Sequence, residues 1–175
     1  TINNHVNETF KEDVRRDLDQ RIKDVFKTIS HKEYREPVLT ENLVLKVINN
    51  FNETLEEEIL STGESQVSSL SFIGALVSYS RDKQKTELYS DFMGGDFPIV
   101  MDSPFGNLDS KHSSHIAHGI GDLANQVIII VSQKQWNNEV ETNIYHRLGK
   151  MYELYEGEMS TENIGEYTQV REVKV

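Results

Sequence analysis

The amino-acid sequence predicts an α/β fold whose core strands are mainly parallel. Two short apolar runs, residues 99–101 and 127–131, flank a segment of helical pattern at residues 110–123. Strand, helix and strand at this spacing form a βαβ unit, in which the strands are parallel and the crossover is right-handed. The second run is entirely β-branched, which is typical of a strand covered on both faces. A chain of 175 residues is long enough for one domain with a substantial core.

The composition narrows the classes of function. The formal net charge is −11, which argues against non-specific nucleic-acid binding by the whole surface, though not against a local basic patch. No cysteine is present, so disulfides, thiolate catalysis and cysteine-ligated metals are excluded. The sequence has no run of about 18 apolar residues and no visible signal peptide, so we expect a cytoplasmic protein with no membrane partner. The chain begins at Thr1 within a helical pattern, which suggests a fragment, an internal boundary or a trimmed sequence.

The first thirty residues predict a long amphipathic helix. Its apolar positions recur at three- and four-residue steps: Val6, Phe10, Val14, Leu18, Ile22, Val25, Phe26 and Ile29. One interpretation is a helix packed on its own domain. The other is the root of a coiled coil, and the stripe is too short to separate the two. The basic pairs, Arg15 with Arg16 and Arg21 with Lys23, are interleaved with acids, which predicts a solvated surface rather than a DNA patch.

Several elements follow this helix. Residues 38–39 and 43–48 indicate two strands around a turn at 40–42. Residues 64–80 predict a helix with one buried face. That face comprises Val67, Leu70, Ile73, Gly74, Leu76 and Val77. The remaining predictions are a helical turn at 88–92, a helix at 136–147, strands at 151–155 and 167–175, and an exposed loop at 157–165.

A phosphate-binding arrangement is predicted where the 64–80 helix begins. Ser61 and Thr62 supply hydroxyls, and Gly63 supplies a bare amide, directly before Glu64. The first amides of a helix have no intrahelical partner and its dipole favours an anion, so a phosphate suits this position. An ordinary helix cap, which Ser and Thr favour, explains the tripeptide better when it is taken alone.

An acid closes the first apolar strand of the βαβ unit. Asp102 follows residues 99–101, the usual place for an aspartate that coordinates Mg²⁺. A turn acid after a strand is the plainer alternative, and Asp109 is equally suited to cap the next helix. The glycines at 94–95 and 119–121 lack the lysine and the spacing of a P-loop. Either the chain binds no nucleotide, or its phosphate loop lies elsewhere.

Three motifs, taken together and in this order, resemble the C-terminal end of an SMC-type head, a coiled-coil ABC ATPase. They are residues 60–66, residues 100–109 and residues 129–133. The resemblance covers nearly the whole chain and is greatest to the prokaryotic DNA-repair and phage-defence branch, similar to the DNA-sulfur-modification ATPase DndD. In that family Walker A lies in a separate N-terminal lobe, which agrees with the lack of a P-loop here.

The resemblance implies a role for each matched residue. A signature segment would bind, in trans, the γ-phosphate of ATP held by an opposing head; it comprises Ser61, Thr62, Gly63 and Glu64. Asp102 would hold Mg²⁺. A D-loop would cross the dimer; it comprises Asn107, Leu108 and Asp109.

Two positions depart from the family pattern. Ser103 replaces the glutamate that polarises the attacking water, and Gln133 replaces the switch histidine. A serine hydroxyl is a poor base near neutral pH, whereas glutamine can still orient a water. We therefore expect a slow, gated ATPase with catalytic residues Asp102, Ser103 and Gln133. The alternatives are an ATP-gated clamp without turnover, and an unrelated α/β interaction domain.

The predicted organisation is a coiled-coil root at residues 1–30 and a C-terminal ATPase lobe at residues 31–175, the C-terminal half of a P-loop NTPase head. Its core sheet would stay incomplete until an N-terminal Walker A lobe adds strands. By resemblance, the expected partners are that lobe, a second head in a homodimer, DNA, and a nuclease or accessory subunit. The setting would be repair, restriction or phage defence.

Two further features have plainer explanations. His112, His115 and His118 recur every three residues, and we expect solvated surface histidines rather than a zinc site, since ligands at this spacing fan out around a helix. Trp136 is expected to be a packing anchor rather than a base-stacking residue.

Overall fold

The computed structural model describes residues 2–30, 35–49, 60–84, 98–156 and 168–174. The predicted helical turn at 88–92 and the predicted loop at 157–165 lie outside these ranges. The helices are α1 (Ile2–Ile29), α2 (Thr62–Gln84), α3 (Ser110–Gly119) and α4 (Asn138–Ile144). The strands are β1 (Arg35–Leu39), β2 (Leu45–Asn49), β3 (Ile99–Asp102), β4 (Val127–Ile130), β5 (Met151–Glu156) and β6 (Thr168–Val173). Within the described part, no helix is both long and apolar enough to span a bilayer.

The predicted βαβ unit is confirmed. Strands β3 and β4 pair in parallel, with Val100 opposite Ile128 and Asp102 opposite Ile130, and α3 connects them. The other two described sheets, β1–β2 and β5–β6, are antiparallel pairs, so the parallel arrangement is limited to the β3–β4 sheet of the described chain. Both of these pairs link strands that are neighbours along the chain, the arrangement that a simple hairpin favours.

The two faces of the β3–β4 sheet differ in exposure. Ile99 and Met101 are buried, at 5% and 7% exposure. On the other face Val100 is 60% exposed, and Ile128 and Ile130 are 44% and 46% exposed. We call this second surface, Val100 with Ile128 and Ile130, the open face. The prediction that residues 127–131 are covered on both faces is therefore wrong within the described part of the chain.

The main core lies between the inner face of this sheet and the helices. Its fully buried members include Ile29 of α1, Val67 of α2, Ile116 of α3 and Val140 of α4. A smaller cluster joins Leu18, Ile22, Leu39 and Ala75. Because residues of α1 enter both clusters, the C-terminal half of this helix is packed on its own domain. The coiled-coil interpretation of residues 1–30 stays a prediction.

Helix α2 packs closely against Leu123, which lies beyond the end of α3. A Cβ at Gly74 would lie 2.8 Å from Leu123 Cδ2, so the bare glycine permits this approach. Ser68 and Ser71 are buried, and each donates its hydroxyl to the carbonyl four residues earlier, at 2.9 and 2.8 Å. These bonds satisfy the hydroxyls inside the helix. Ile73, predicted on the buried face, is 44% exposed.

Ion pairs join α1 to its neighbours. Arg21 Nη1 lies 2.7 Å from Asp82 Oδ2 of α2, and Lys23 Nζ lies 2.7 Å from Glu36 Oε1 of β1. Burial lowers the pKa of Arg21, but hydrogen bonds to Asp17 and Asp82 outweigh it and the net pKa is raised. The predicted solvated surface is thus wrong for Arg21 and Lys23, which are partly buried.

Candidate functional site

Asp102 ends β3 on the same side of the sheet as the open face. Burial alternates along the strand, so Asp102 shares the exposed side with Val100. The Ser103 backbone amide donates to the Ile130 carbonyl at 2.8 Å, and the Ser103 hydroxyl donates to Asp102 Oδ1 at 3.1 Å. An exposed carboxylate held through one oxygen keeps the other for a hydrated cation, which is how Mg²⁺ prefers to bind.

The chain turns sharply after Asp102, over residues 103–106. Ser103 has a positive φ of 55°, a left-handed conformation that is unfavourable for a residue with a Cβ. The Gly106 amide donates to the Ser103 carbonyl at 3.1 Å and closes the turn. Pro104 and Phe105 are buried. Burial of these side chains holds the turn, and with it the strained residue beside the acid.

The 61–64 segment forms a capping box at the start of α2. The Ser61 amide donates to Glu64 Oε2 at 2.9 Å, and the Glu64 amide donates to Ser61 Oγ at 3.3 Å. The helix-cap interpretation is therefore confirmed. It does not exclude phosphate binding, because Ser61 is exposed and its hydroxyl, while accepting from Glu64, can still donate its proton.

Glu64 faces into the lobe rather than towards solvent. It is 8% exposed, and its Oε1 lies 2.9 Å from Arg35 Nη1 of β1. Its carboxylate therefore contacts groups of its own chain on both oxygens. Of the predicted signature segment, Ser61 and Thr62 are exposed while Gly63 and Glu64 are buried.

The start of α2 rests on the chain segment that follows Asp102. A Cβ at Gly63 would lie 3.3 Å from Leu108 Cδ2 and 3.4 Å from the Asn107 carbonyl oxygen. Gln66 Nε2 donates to the Pro104 carbonyl at 2.6 Å. The predicted signature segment and the predicted D-loop are thus in direct contact within one chain.

Asp109 caps helix α3. Its Oδ1 accepts from the His112 backbone amide at 2.8 Å and lies 3.0 Å from His112 Nδ1. His112 is 7% exposed, so its prediction as a surface residue is wrong; the contact with Asp109 folds the ring back against the helix start. His115 and His118 are exposed, as predicted.

Gln133 lies in the turn after β4, at the same end of the parallel pair as Asp102. The amides of Gln135 and Trp136 both donate to the Ser132 carbonyl, at 2.9 and 3.1 Å. Gln133 itself is exposed. The Gln135 side chain lies against the 103–106 turn, since a Cβ at Gly106 would be 3.0 Å from Gln135 Nε2. Trp136 packs against the core, which confirms its role as an anchor.

Sequence reasoning did not predict the contacts of three residues in this region. Arg35, Gln66 and Gln135 contact the 61–64 segment or the 103–106 turn. Ser61 followed by Glu64 is a recognisable capping-box pattern, which would have indicated where the Glu64 carboxylate points. No local pattern marks Arg35, because its contact depends on how β1 is placed.

No family model matches the sequence, and no curated protein matches it. Solved structures match its fold. One, from work on the structural biochemistry of ATP-driven dimerization and DNA-stimulated activation of SMC ATPases, aligns with a TM-score of 0.57 and 12% identity, over 95% of this chain and 89% of that one. An Smc head bound to the C-winged helix domain of ScpA aligns with a TM-score of 0.56 and 13% identity, over 94% of this chain and 45% of that one.

The SMC head domain from Thermotoga maritima gives a TM-score of 0.52 at 10% identity, over 96% of this chain and 52% of that one. The chain thus spans about half the length of two of these three structures. At 10–13% identity the likeness concerns the fold. Over nearly its whole length, the chain shares its fold with part of these SMC head structures.

Proposed function

We propose that this chain is the C-terminal lobe of an SMC-like ATPase head. The head would engage a second head through bound ATP and would hydrolyse that ATP slowly. One observation carries the proposal: the capped start of α2 rests directly on the 107–109 segment, through Gly63 and Leu108. A phosphate-binding helix end and a segment that crosses to another head would then act together. The fold likeness to SMC heads supports this assignment.

The residues present fit ATP and Mg²⁺. Asp102 offers an exposed carboxylate for the metal, and Ser61 offers a hydroxyl beside the first amides of a 23-residue helix. Bound Mg²⁺–ATP supplies the phosphoryl group for hydrolysis. Ser61 would donate to a terminal phosphate oxygen, while the amides of Thr62 and Gly63 add partial positive charge.

Slow turnover follows from the positions of Ser103 and Gln133. The Ser103 hydroxyl donates to Asp102, so it orients the carboxylate and is not placed as a base. Gln133, exposed at the same end of the sheet, would orient the attacking water. Asn107, Leu108 and Asp109 would form the D-loop.

The open face supports a Walker A lobe as partner. Val100, Ile128 and Ile130 leave an apolar surface on the side of the sheet that carries Asp102. A lobe packed there would cover these apolar side chains beside Asp102. The proposal includes three further partners: DNA, a second head in a homodimer, and a nuclease or accessory subunit. It also includes a cytoplasmic location and a DndD-like role in repair, restriction or phage defence.

The decisive experiment measures steady-state ATP turnover of the complete protein, with and without DNA. We expect Asp102→Ala to abolish turnover, because the metal loses its ligand. Asp122→Ala is the matched control, since this exposed acid lies beyond the far end of α3. Turnover that survives in Asp102→Ala would overturn the assignment of Asp102.

A non-catalytic ATP-gated clamp is the second candidate, and the engagement of the Ser103 hydroxyl by Asp102 favours it. The two functions differ in whether ATP is consumed. In the ATPase, Ser103→Glu should change turnover, whereas a clamp dimerises with ATP and releases no phosphate. Ser61→Arg should prevent ATP-dependent dimerisation in either case. If no ATP-dependent dimer forms, an unrelated interaction domain is the better description.

A further inference from the structure

A carboxylate in the predicted phosphate-binding segment needs explanation. Glu64 lies in the first turn of α2, at the helix end where the γ-phosphate would bind. Like charges repel strongly where water is scarce. Glu64 is nevertheless 8% exposed and therefore poorly screened by solvent. Something in the lobe has to offset its charge if an anion is to bind beside it.

Arg35 is placed to do so. Its Nη1 lies 2.9 Å from Glu64 Oε1, and the two side chains are only 14% and 10% exposed. The contact is an ion pair between two largely buried side chains. Removing one member of such a pair takes away a charge that offsets the other.

The second oxygen of Glu64 links this pair to the phosphate ligand. Glu64 Oε2 accepts from the Ser61 amide at 2.9 Å, and Ser61 Oγ accepts from the Glu64 amide at 3.3 Å. Arg35, Glu64 and Ser61 thus form a continuous series of contacts from β1 to the exposed hydroxyl.

The location of Arg35 makes this series rigid. It opens β1, opposite Asn49 of β2, and the following β1 residues Pro37 and Leu39 are buried. Leu39 belongs to the cluster that holds β1 against α1 and α2. The backbone of β1 that carries Arg35 is therefore held by the core and by β2, and not by the 61–64 segment.

We propose that Arg35 is a positioning residue of the γ-phosphate site, offsetting the charge of Glu64 and fixing its carboxylate on the Ser61 amide. The inference rests on the proposed function. It assigns Arg35 an electrostatic role in ATP-driven head engagement, as distinct from a role in packing alone.

The test measures the ATP concentration at which half of the complete protein dimerises, by analytical ultracentrifugation. We expect Arg35→Met to raise this concentration by at least about tenfold, since it leaves the buried carboxylate beside the phosphate. Arg35→Lys keeps the charge and should raise it less. The matched control is Arg171→Met, which breaks the exposed pair with Glu153 and should change nothing.

Charge rescue separates electrostatics from packing. Glu64→Gln keeps an oxygen for the Ser61 amide and removes the charge, so Arg35→Met with Glu64→Gln should return to within about threefold of the parent. Glu64→Gln alone should dimerise at a lower ATP concentration than the parent, because the charge that opposes the phosphate is removed. This variant tests the charge argument even if Arg35→Met fails to fold.

Three outcomes would overturn the inference. Arg35→Met could match the parent while Ser61→Arg abolishes dimerisation; the proposed function then stands and the role of Arg35 falls. Glu64→Gln could weaken dimerisation and fail to rescue Arg35→Met, which would indicate a packing role. If the parent forms no ATP-dependent dimer, the proposed function fails, and the inference fails with it.

Discussion

The two faces of the β3–β4 sheet are built from the same residue types but end in different environments. Ile99 and Met101 are buried by helices of the chain itself, at 5% and 7% exposure. Val100 and Ile130, one position away along their strands, are 60% and 46% exposed. In a strand, neighbouring side chains point to opposite faces, so one face is completed within the described chain while the other is not. The difference indicates that the inner face contributes most of the stability, while the exposed open face fits the proposed association with a partner lobe.

The largest test of this comparison places a charge on each face. Met101→Asp buries an unpaired carboxylate, and we expect it to lower the free energy of unfolding by at least about 4 kcal/mol. Val100→Asp, its neighbour on the open face, should cost about 1 kcal/mol or less, because the charge stays hydrated. Urea unfolding of both variants measures the difference. Equal losses would show that the open face is covered.

A second test removes methyl groups instead of adding charge. Ile99→Ala leaves a cavity in the core and should cost about 3 kcal/mol in the free energy of unfolding. Ile128→Ala, exposed at 44%, should cost less than about 1 kcal/mol. Thermal or urea unfolding of the two variants measures these free energies. A cost at Ile128 that matches the cost at Ile99 would contradict the asymmetry between the faces.

A third test addresses what the open face does. Ile130→Ser should leave unfolding of the lobe nearly unchanged but weaken its association with a Walker A lobe by about tenfold, equivalent to about 1.4 kcal/mol. Calorimetric titration of the two lobes measures this affinity. Exposed Ile73 of α2 provides the control, since Ile73→Ser alters an apolar residue away from the sheet. Equal effects of the two substitutions would count against docking at the open face.

The smallest expected effect concerns the solvent-exposed pair of Arg147 and Asp122. A hydrogen bond from Arg147 lowers the pKa of Asp122, so the charged carboxylate is favoured in the folded state. Its contribution is present above the unfolded pKa, near 4, and is lost as pH falls through the lower folded value. We expect Asp122→Asn to cost less than about 0.5 kcal/mol at pH 7 and nothing once Asp122 is protonated. Urea unfolding across pH 2–7 checks this; a larger cost at low pH would contradict the sign.

The sequence predicted the elements that depend on local pattern. The apolar runs of β3 and β4 and the helical segment between them gave the βαβ unit, because strand and helix periodicities are read locally. The role of Asp109 as a helix cap was also predictable, since a helix start with an acid one residue before it is a common arrangement.

Other features depend on distant packing and could not be read from the sequence. The β-branched run at 127–131 indicates that these side chains can be buried. It does not indicate which part of the structure would cover them. Arg35 meets Glu64 only because β1 is anchored on α1. His112 was assigned to the surface because a pattern of three-residue steps does not reveal which ring turns inward to meet Asp109.

The open face also sets conditions on how the protein can be produced. Strands β3 and β4, as described, present apolar side chains beside a two-stranded parallel ladder, and such surfaces invite copies of a chain to pair with one another. A lobe synthesised alone would therefore tend to self-associate through this face. If the proposed Walker A lobe covers this face, synthesis of the two lobes together should raise the soluble yield.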